Sequence, residues 1–326
     1  MKKYYKKISS KVFTLKDLKK FAEYSADSNP QHVNPIHARR TISGQCVAHG
    51  IYVLMWALDE FTKKNKIPII SFQVDFLKPI LIDILICCRW DENNNVLYIS
   101  QKNVLLTTIS IQPGKTIKNT LIKLKFGKAR SVPKNLSIED CKNYEKKIIY
   151  YRGKYTIGRK LFPSLNKIYG EGNLVELAAT SEYVGMQIPG LNSLYLRIAG
   201  DFIGHNKSSK IKVQKIDKRF KIIKLIFKGK YLNAKINIFY SVTHAQMPRI
   251  DDFSKLVKFK NYNSVKALII GGSRGLGEVT AKLVAWGGGE STITYNSGKL
   301  DAMRVQKEIL RYGGICKIHY LDLRKN

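Results

Sequence analysis

Acidic residues are scarce in this chain of 326 residues: 24 Asp and Glu stand against 57 Lys and Arg, a formal charge of +33 at pH 7. Such an excess suggests a nucleic-acid partner, but the residues that would read one are missing. Arginine, whose planar fork grips phosphates and base edges, is scarce beside lysine. The lysines are spread over the whole chain, and no recognition motif accompanies them. Nucleic acid is therefore not an expected partner, whereas an acidic protein would suit a basic surface. Cysteine is limited to five residues (Cys46, Cys87, Cys88, Cys141, Cys316), an odd number with no Cys-x2-Cys pair. That fits idle thiols in a reducing cytoplasm. No His, Cys and Asp cluster has metal spacing, so no metal is expected. No apolar run is long enough to span a bilayer. The start, Met1-Lys2-Lys3-Tyr4-Tyr5-Lys6-Lys7, lacks the apolar stretch of a signal peptide.

What is present is enough for real cores: 44% of residues are hydrophobic, and the length predicts two or three domains. Thr14 and Asp17 read as a helix cap, and Leu15, Leu18, Phe21 and Ala22 form one apolar face behind it. Asn29-Pro30 stops that helix and starts a turn. A second helix is predicted over 51–64, with Ile51, Leu54, Met55, Leu58 and Phe61 on one stripe. Strands are predicted over 69–76, 81–90, 96–101 and 104–111. Further on, a helical stretch over 174–183 is followed by strand-like segments over 191–196, 210–215, 221–228 and 234–242. This echoes the helix-then-strands order of the first part. From Val265 the pattern changes to strand, glycine turn, helix, strand, helix, strand.

The most informative stretch is Ser25-Ala26-Asp27-Ser28-Asn29-Pro30-Gln31-His32-Val33-Asn34, followed by Ala48-His49-Gly50 at the head of the long apolar helix. Alone, Asp27 would pass for a turn residue and His32 for a surface histidine. In this order and spacing, the segments resemble the signature of the MaoC-like (R)-specific enoyl-thioester hydratases, which have the hotdog fold. Ala26 stands where that family has glycine, and Gln31 where it has an apolar residue. The resemblance implies that Asp27 and His32 hold and activate a water, and that Asn29 orients the loop or the pair. Both of the pair are expected on a turn that solvent reaches. Hydration also needs an oxyanion donor, and a helix N-terminus offers free N–H groups. Gly50 is the natural one, since it lets the backbone approach closely. His49 could touch substrate or bond to backbone. The substrate implied is an acyl-CoA or an acyl carrier protein thioester, and the hydratase needs no cofactor.

The C-terminal run resembles the opening of a short-chain dehydrogenase/reductase. Gly271, Ser273, Arg274, Gly275, Leu276 and Gly277 form the turn that would meet a dinucleotide pyrophosphate at a helix N-terminus. The second strand ends Tyr295-Asn296-Ser297, with no acid for a ribose 2′-hydroxyl, while Arg274 could meet a 2′-phosphate. Both point to NADP(H) over NAD(H), and Asp322 matches the family's adenine-contacting Asp. Tyr295 and Lys299 have Tyr-x3-Lys spacing, but they lie too early to be that family's catalytic pair. Only the first third of a reductase is recognised, so reductase activity is not expected of this chain alone.

The fold class expected is an α+β tandem (double) hotdog followed by a partial α/β Rossmann domain. Its segments are 1–125 with the catalytic motif, 126–260 as a degenerate second hotdog, and 261–326. A homodimer is compatible with this reading. The rival readings are a non-catalytic acyl-binding or assembly module with a decayed reductase tail, and a hotdog thioesterase.

Overall fold

The computed structural model describes residues 5–115, 124–241, 247–255 and 261–323. They fall into two compact units, 1–243 and 244–326.

The first unit is built on one ten-stranded sheet in which every neighbouring pair is antiparallel. In spatial order the strands are Lys6–Val12, Leu85–Asp91, Val96–Gln101, Val104–Pro113, Ile69–Phe76, Ser193–Phe202, Leu232–Tyr240, Ile222–Lys228, Lys210–Asp217 and Glu145–Lys146. The first five come from the N-terminal half and the last five from the following segment. They join where residues 71–75 pair with residues 197–201. Each half carries its own central helix, Gly50–Asn65 in one and Glu171–Glu182 in the other. Two helix-and-sheet halves, the second sheet continuing the first, match the layout expected of a double hotdog.

Local chemistry places these elements. Thr14 and Asp17 form a reciprocal capping box at the head of the helix Leu15–Ser25. That helix ends at Ala26, which takes a left-handed conformation (φ 63°). Asn29 then caps the turn Pro30–Val33, and Asn34 caps the turn Pro35–Ala38, with proline at the first helical position each time. In the helix Gly50–Asn65 the buried residues Ile51 to Asp59, Phe61 and Thr62 surround the axis. A helix apolar on nearly all sides has to be central.

The second central helix is buried from Gly172 to Glu182 and continues as a π turn over Tyr183–Gln187. It is buried although it carries two carboxylates. Glu176 accepts hydrogen bonds from Tyr151 Oη (2.5 Å), Lys230 N (2.5 Å) and Tyr231 N (2.8 Å). Burial pushes its pKa up to about 7, against the pull of these donors. The two halves are also pinned side to side. Leu165 N donates to Asp59 Oδ1 (2.8 Å), and Ile69 N donates to Tyr169 Oη (2.6 Å).

The C-terminal unit is a three-stranded parallel sheet, in the order Lys266–Ile269, Glu290–Tyr295, Ile315–Tyr320. The helices Gly275–Trp286 and Lys299–Arg311 connect the strands. Its core includes Ile250, Ala281, Ala285, Ile293, Val305 and Ile309. The sequence places the last boundary at 260/261, whereas the compact units divide at 243/244. The cause is local: Ile250 is buried in the C-terminal core, and Pro248 O accepts from Lys282 Nζ (2.9 Å).

Gly153 shows how tightly the second half closes on the first. Lys154 N donates to Glu23 O (2.8 Å), and a Cβ on Gly153 would lie 1.7 Å from Tyr24 O. Backbone cannot yield as a side chain can. Gly153→Ala is expected to destabilise the protein by roughly 1–3 kcal/mol, read from urea unfolding. An unchanged midpoint would show that this segment does not dock on the end of the helix Leu15–Ser25.

Candidate active site

The left-handed turn at Ala26 drives Asp27 inward, under the π turn of the second half. Asp27 Oδ2 accepts from Ser181 Oγ (2.6 Å), and Oδ1 accepts from Asn29 N (3.2 Å). Gly185 lies against the carboxylate so closely that a Cβ there would sit 2.3 Å from Oδ1. Asn29 works as a clamp: its Nδ2 donates to Gly185 O (2.9 Å) and Gly190 O (3.1 Å). Gln31 adds a second tie, from Nε2 to Ser193 O (2.8 Å).

His32 and His49 form a stacked pair, with ring centroids 3.8 Å apart and planes inclined by 26°. His32 Nδ1 lies 2.7 Å from Val47 O, and His49 Nε2 lies 3.0 Å from Asp27 O. A carbonyl only accepts, so each of these nitrogens carries the proton. The other nitrogen of each neutral ring is then left with a lone pair. One ligand atom each from Asp27, His32 and His49 lies within 4.8 Å of the other two. Ligand atoms of Asp27 and His32 within 4.8 Å of each other are close enough for one bridging water. The linear spacing gives no hint of this three-residue cluster, which has the make-up of a metal site. Imidazole binds a metal in its own ring plane, however, and two nearly parallel rings do not aim their lone pairs at one point. The geometry suits a water better than an ion.

Gly50 opens the central helix. Its N-cap, His49, offers no side-chain cap, and Val53 N donates to His49 O (3.1 Å) as the helix begins. The N–H of Gly50 is thus an orphan donor of the helix start. A Cβ on Gly50 would lie 2.9 Å from the Phe76 ring. Asp27, His32, Gly50, Val53, Thr107 and Tyr195 all line one cavity of about 160 Å³.

Burial sets the electrostatics. It raises the Asp27 pKa from 3.8 to about 7, against the Ser181 and Asn29 hydrogen bonds, which lower it. Burial also pushes His32 down to about 4, against the Val47 carbonyl. His49 is pushed well below 6.5, first by burial and then by His32. Both rings are neutral at pH 7, and Asp27 sits near its midpoint. The solvent-reached turn expected from the sequence is corrected here. Asp27 is 2% and His32 7% exposed, because the second half covers the turn.

The structure brings Asp27, Asn29, His32 and Gly50 together, with Asn29 clamping the loop through its bonds to Gly185 O and Gly190 O. His49 bonds backbone, one of the two roles left open for it. Ser181 and Gly185 were not foreseen. The one signal for them was a run of small and polar residues, Ala178-Ala179-Thr180-Ser181, in a segment otherwise fit for a core.

In the C-terminal unit, Gly271 (φ 76°) and Gly275 (φ 60°) take left-handed conformations, and a Cβ on Gly277 would meet Gly271 O at 2.6 Å. Ser273 and Arg274 precede the helix Gly275–Trp286, and Leu276 stands exposed in its first turn. Gly271, Asn296 and Asp322 line one open hollow with Thr294 and Tyr295, and Ser297 is exposed one residue beyond Asn296.

No family model matches the chain, and no curated protein does. Among solved structures, a MaoC-like dehydratase is 12% identical, covering 73% of this chain and 98% of its own, with a TM-score of 0.47. A conserved hypothetical protein from Mycobacterium tuberculosis, described as a double hotdog fold, is 8% identical over 73% of this chain and 96% of its own (TM-score 0.45). The full-length peroxisomal multifunctional enzyme type 2 from Drosophila melanogaster is 12% identical over 71% of this chain and 48% of its own (TM-score 0.39). Among the described residues, no helix is long and apolar enough to cross a membrane.

The raised Asp27 pKa has a consequence for stability. The folded protein binds this proton more tightly than the unfolded chain, whose value is near 3.8. Its stabilising contribution is complete below about pH 4 and is lost as pH rises through about 7. Asp27→Asn abolishes this titration, leaves that of Glu176 in place and removes one of the lesser causes that raise Glu182. The variant is expected to gain stability relative to the parent between pH 4 and pH 8, by up to a few kcal/mol in urea unfolding. A constant difference across that range would show that Asp27 is ionised at its ordinary pKa.

Proposed function

We propose that this chain hydrates trans-2-enoyl thioesters to (R)-3-hydroxyacyl thioesters, and runs the reverse dehydration, at Asp27, His32 and Gly50. The observation that carries the reading is the one-water spacing of Asp27 and His32 in a cavity that also contains the head of a helix. The Asp27 carboxylate takes one proton from the water, while His32 Nε2 accepts the other hydrogen and fixes the oxygen. That oxygen bonds to C3. The C2=C3 π pair moves into the thioester, and the Gly50 N–H meets the charge that develops on the thioester oxygen. Asp27 then returns its proton to C2 and is again a carboxylate. A pKa near 7 suits a group that must both take and give a proton at neutral pH. The acyl group would arrive on CoA or on an acyl carrier protein, whose acidic surface would suit the lysine excess.

In the C-terminal unit, the left-handed glycines and the close approach of Gly277 to Gly271 fit a pyrophosphate at the start of a helix. NADP(H), which supplies hydride when bound, would be held by the turn from Gly271 to Gly277, with Asn296, Ser297 and Asp322 on the nucleoside side. Tyr295 stands at a strand end, in the hollow with Asp322, where a catalytic Tyr-x3-Lys pair is not expected. The 326-residue chain is expected to bind NADPH weakly at best and to reduce no acetoacetyl thioester. NADPH-dependent reduction by the purified chain would overturn this.

Asp27→Asn and His32→Ala are each expected to cut hydration of an enoyl-CoA by about a hundredfold or more. The parent's rate should rise with pH, with a midpoint near 7, as Asp27 ionises. Ser181→Ala removes a bond that lowers this pKa, so its midpoint should lie higher. Near-parental turnover in both dyad variants would sink the assignment of Asp27 and His32, and a parent that hydrates no enoyl-CoA would leave an acyl-binding module.

A further inference from the structure

Four hydroxyl side chains line the cavity at the candidate site: Thr107, Ser181, Ser193 and Tyr195. Three are already committed. Ser181 donates to Asp27 Oδ2 (2.6 Å), Ser193 to Gly190 O (2.7 Å) and Tyr195 to Thr180 O (2.7 Å). Thr107 is fully buried, and its Oγ1 has no hydrogen-bond partner among the described residues.

The position makes this unpaired hydroxyl notable. Thr107 lies on the strand Val104–Pro113, opposite Phe76 on one neighbouring strand and Ile99 on the other. It shares the buried side of its strand with Ile109 and Ile111. Valine would fill the same β-branched shape there without burying an unmade hydrogen bond, which costs stability. An unsatisfied polar group in a native interior calls for a partner. Thr107 is also among the residues that line the same cavity as Asp27, His32 and Gly50.

We propose that the acyl chain taken by this cavity carries its own hydrogen-bonding oxygen, a hydroxyl or a carbonyl, and that Thr107 reads it. The inference rests on the hydratase reading in placing the thioester at Asp27 and Gly50. A hydroxyl both donates and accepts, so either kind of oxygen satisfies Thr107. The cavity, about 160 Å³, limits the distance: a void of that size holds about six carbons, so the oxygen lies close behind the reacting double bond. The substrate class is thus a short, oxygen-bearing enoyl thioester. A plain alkyl chain would leave Thr107 unpaired, and sites built to bond a substrate oxygen discriminate against analogues that lack it.

Thr107→Val removes the hydroxyl at nearly constant shape, and Thr107→Ser keeps it. The probes are the N-acetylcysteamine thioesters of trans-2-hexenoic acid and of its 5-hydroxy and 5-oxo derivatives, followed by hydration. Their saturated counterparts are titrated for binding. The parent and Thr107→Ser should favour the oxygenated probes by about fivefold or more in kcat/KM and in Kd, and Thr107→Val should lose that preference. The Tm of Thr107→Val should be no lower than the parent's, since no bond within the protein is lost. Equal use of all probes by the parent would overturn the proposal. So would a Thr107→Val variant whose kcat falls alike on every probe, which would place the hydroxyl at the thioester itself. A marked drop in its Tm would also overturn it, by revealing a structural partner. If no probe is hydrated, the hydratase reading fails, and the binding ratios still decide the role of Thr107.

Discussion

A carboxylate taken out of water needs donors, and the Asp27 side chain draws its side-chain donor from the other half of the unit. The hydrogen bond from Ser181 Oγ to Asp27 Oδ2 joins two segments 154 residues apart. The fit of Gly185 against the same carboxylate, and the two bonds from Asn29 to the backbone beyond it, depend on the same docking. The second half supplies both the Ser181 donor and the cover at Gly185. With it in place, burial carries the group toward neutrality, where a carboxyl can exchange protons in both directions.

The cost of this arrangement is visible in the second central helix. Glu176 and Glu182 are buried in it, and burial raises both to about 7. Each is held by specific partners. Glu176 has Tyr151 and the backbone at Lys230 and Tyr231, and Glu182 has Arg152 and Gln187. Glu182 also repels the charge on Asp27, and Asp27 is among the causes of its own raised pKa. A helix with this much buried polarity is a poor choice for stability alone. It makes sense as the wall of a site, where the polar groups hold the backbone that holds Asp27.

The C-terminal unit uses buried charge differently. Lys282 and Glu278 are almost wholly buried and lie 2.7 Å apart, and Glu308 and Arg304 extend the cluster. Lys282 also reaches Pro248 O, and Glu308 accepts from Ile250 N. The network ties residues 248–250 to the two helices, and so places the start of the unit earlier than the change of sequence pattern at Val265.

Local rules were legible in the sequence because they act within a few residues. The Thr14–Asp17 cap, the Asn29-Pro30 stop, the apolar helix behind Gly50 and the strands over 69–76 and 96–101 all follow from neighbours along the chain. The order of Asp27, Asn29, His32 and Gly50 was legible for the same reason, since one turn and one helix start carry all four. Burial was not legible. Nothing within ten residues of Asp27 says that Ser181 and Gly185 will cover it, or that His32 and His49 will stack. Thr107 reads as an ordinary strand residue until the fold buries its hydroxyl with no partner among the described residues. Which residues could take part in the chemistry, and the local shape that carries them, follow from neighbours along the chain. Their solvation, and with it their proton affinities, came only with the fold, because desolvation depends on what distant segments bring into contact.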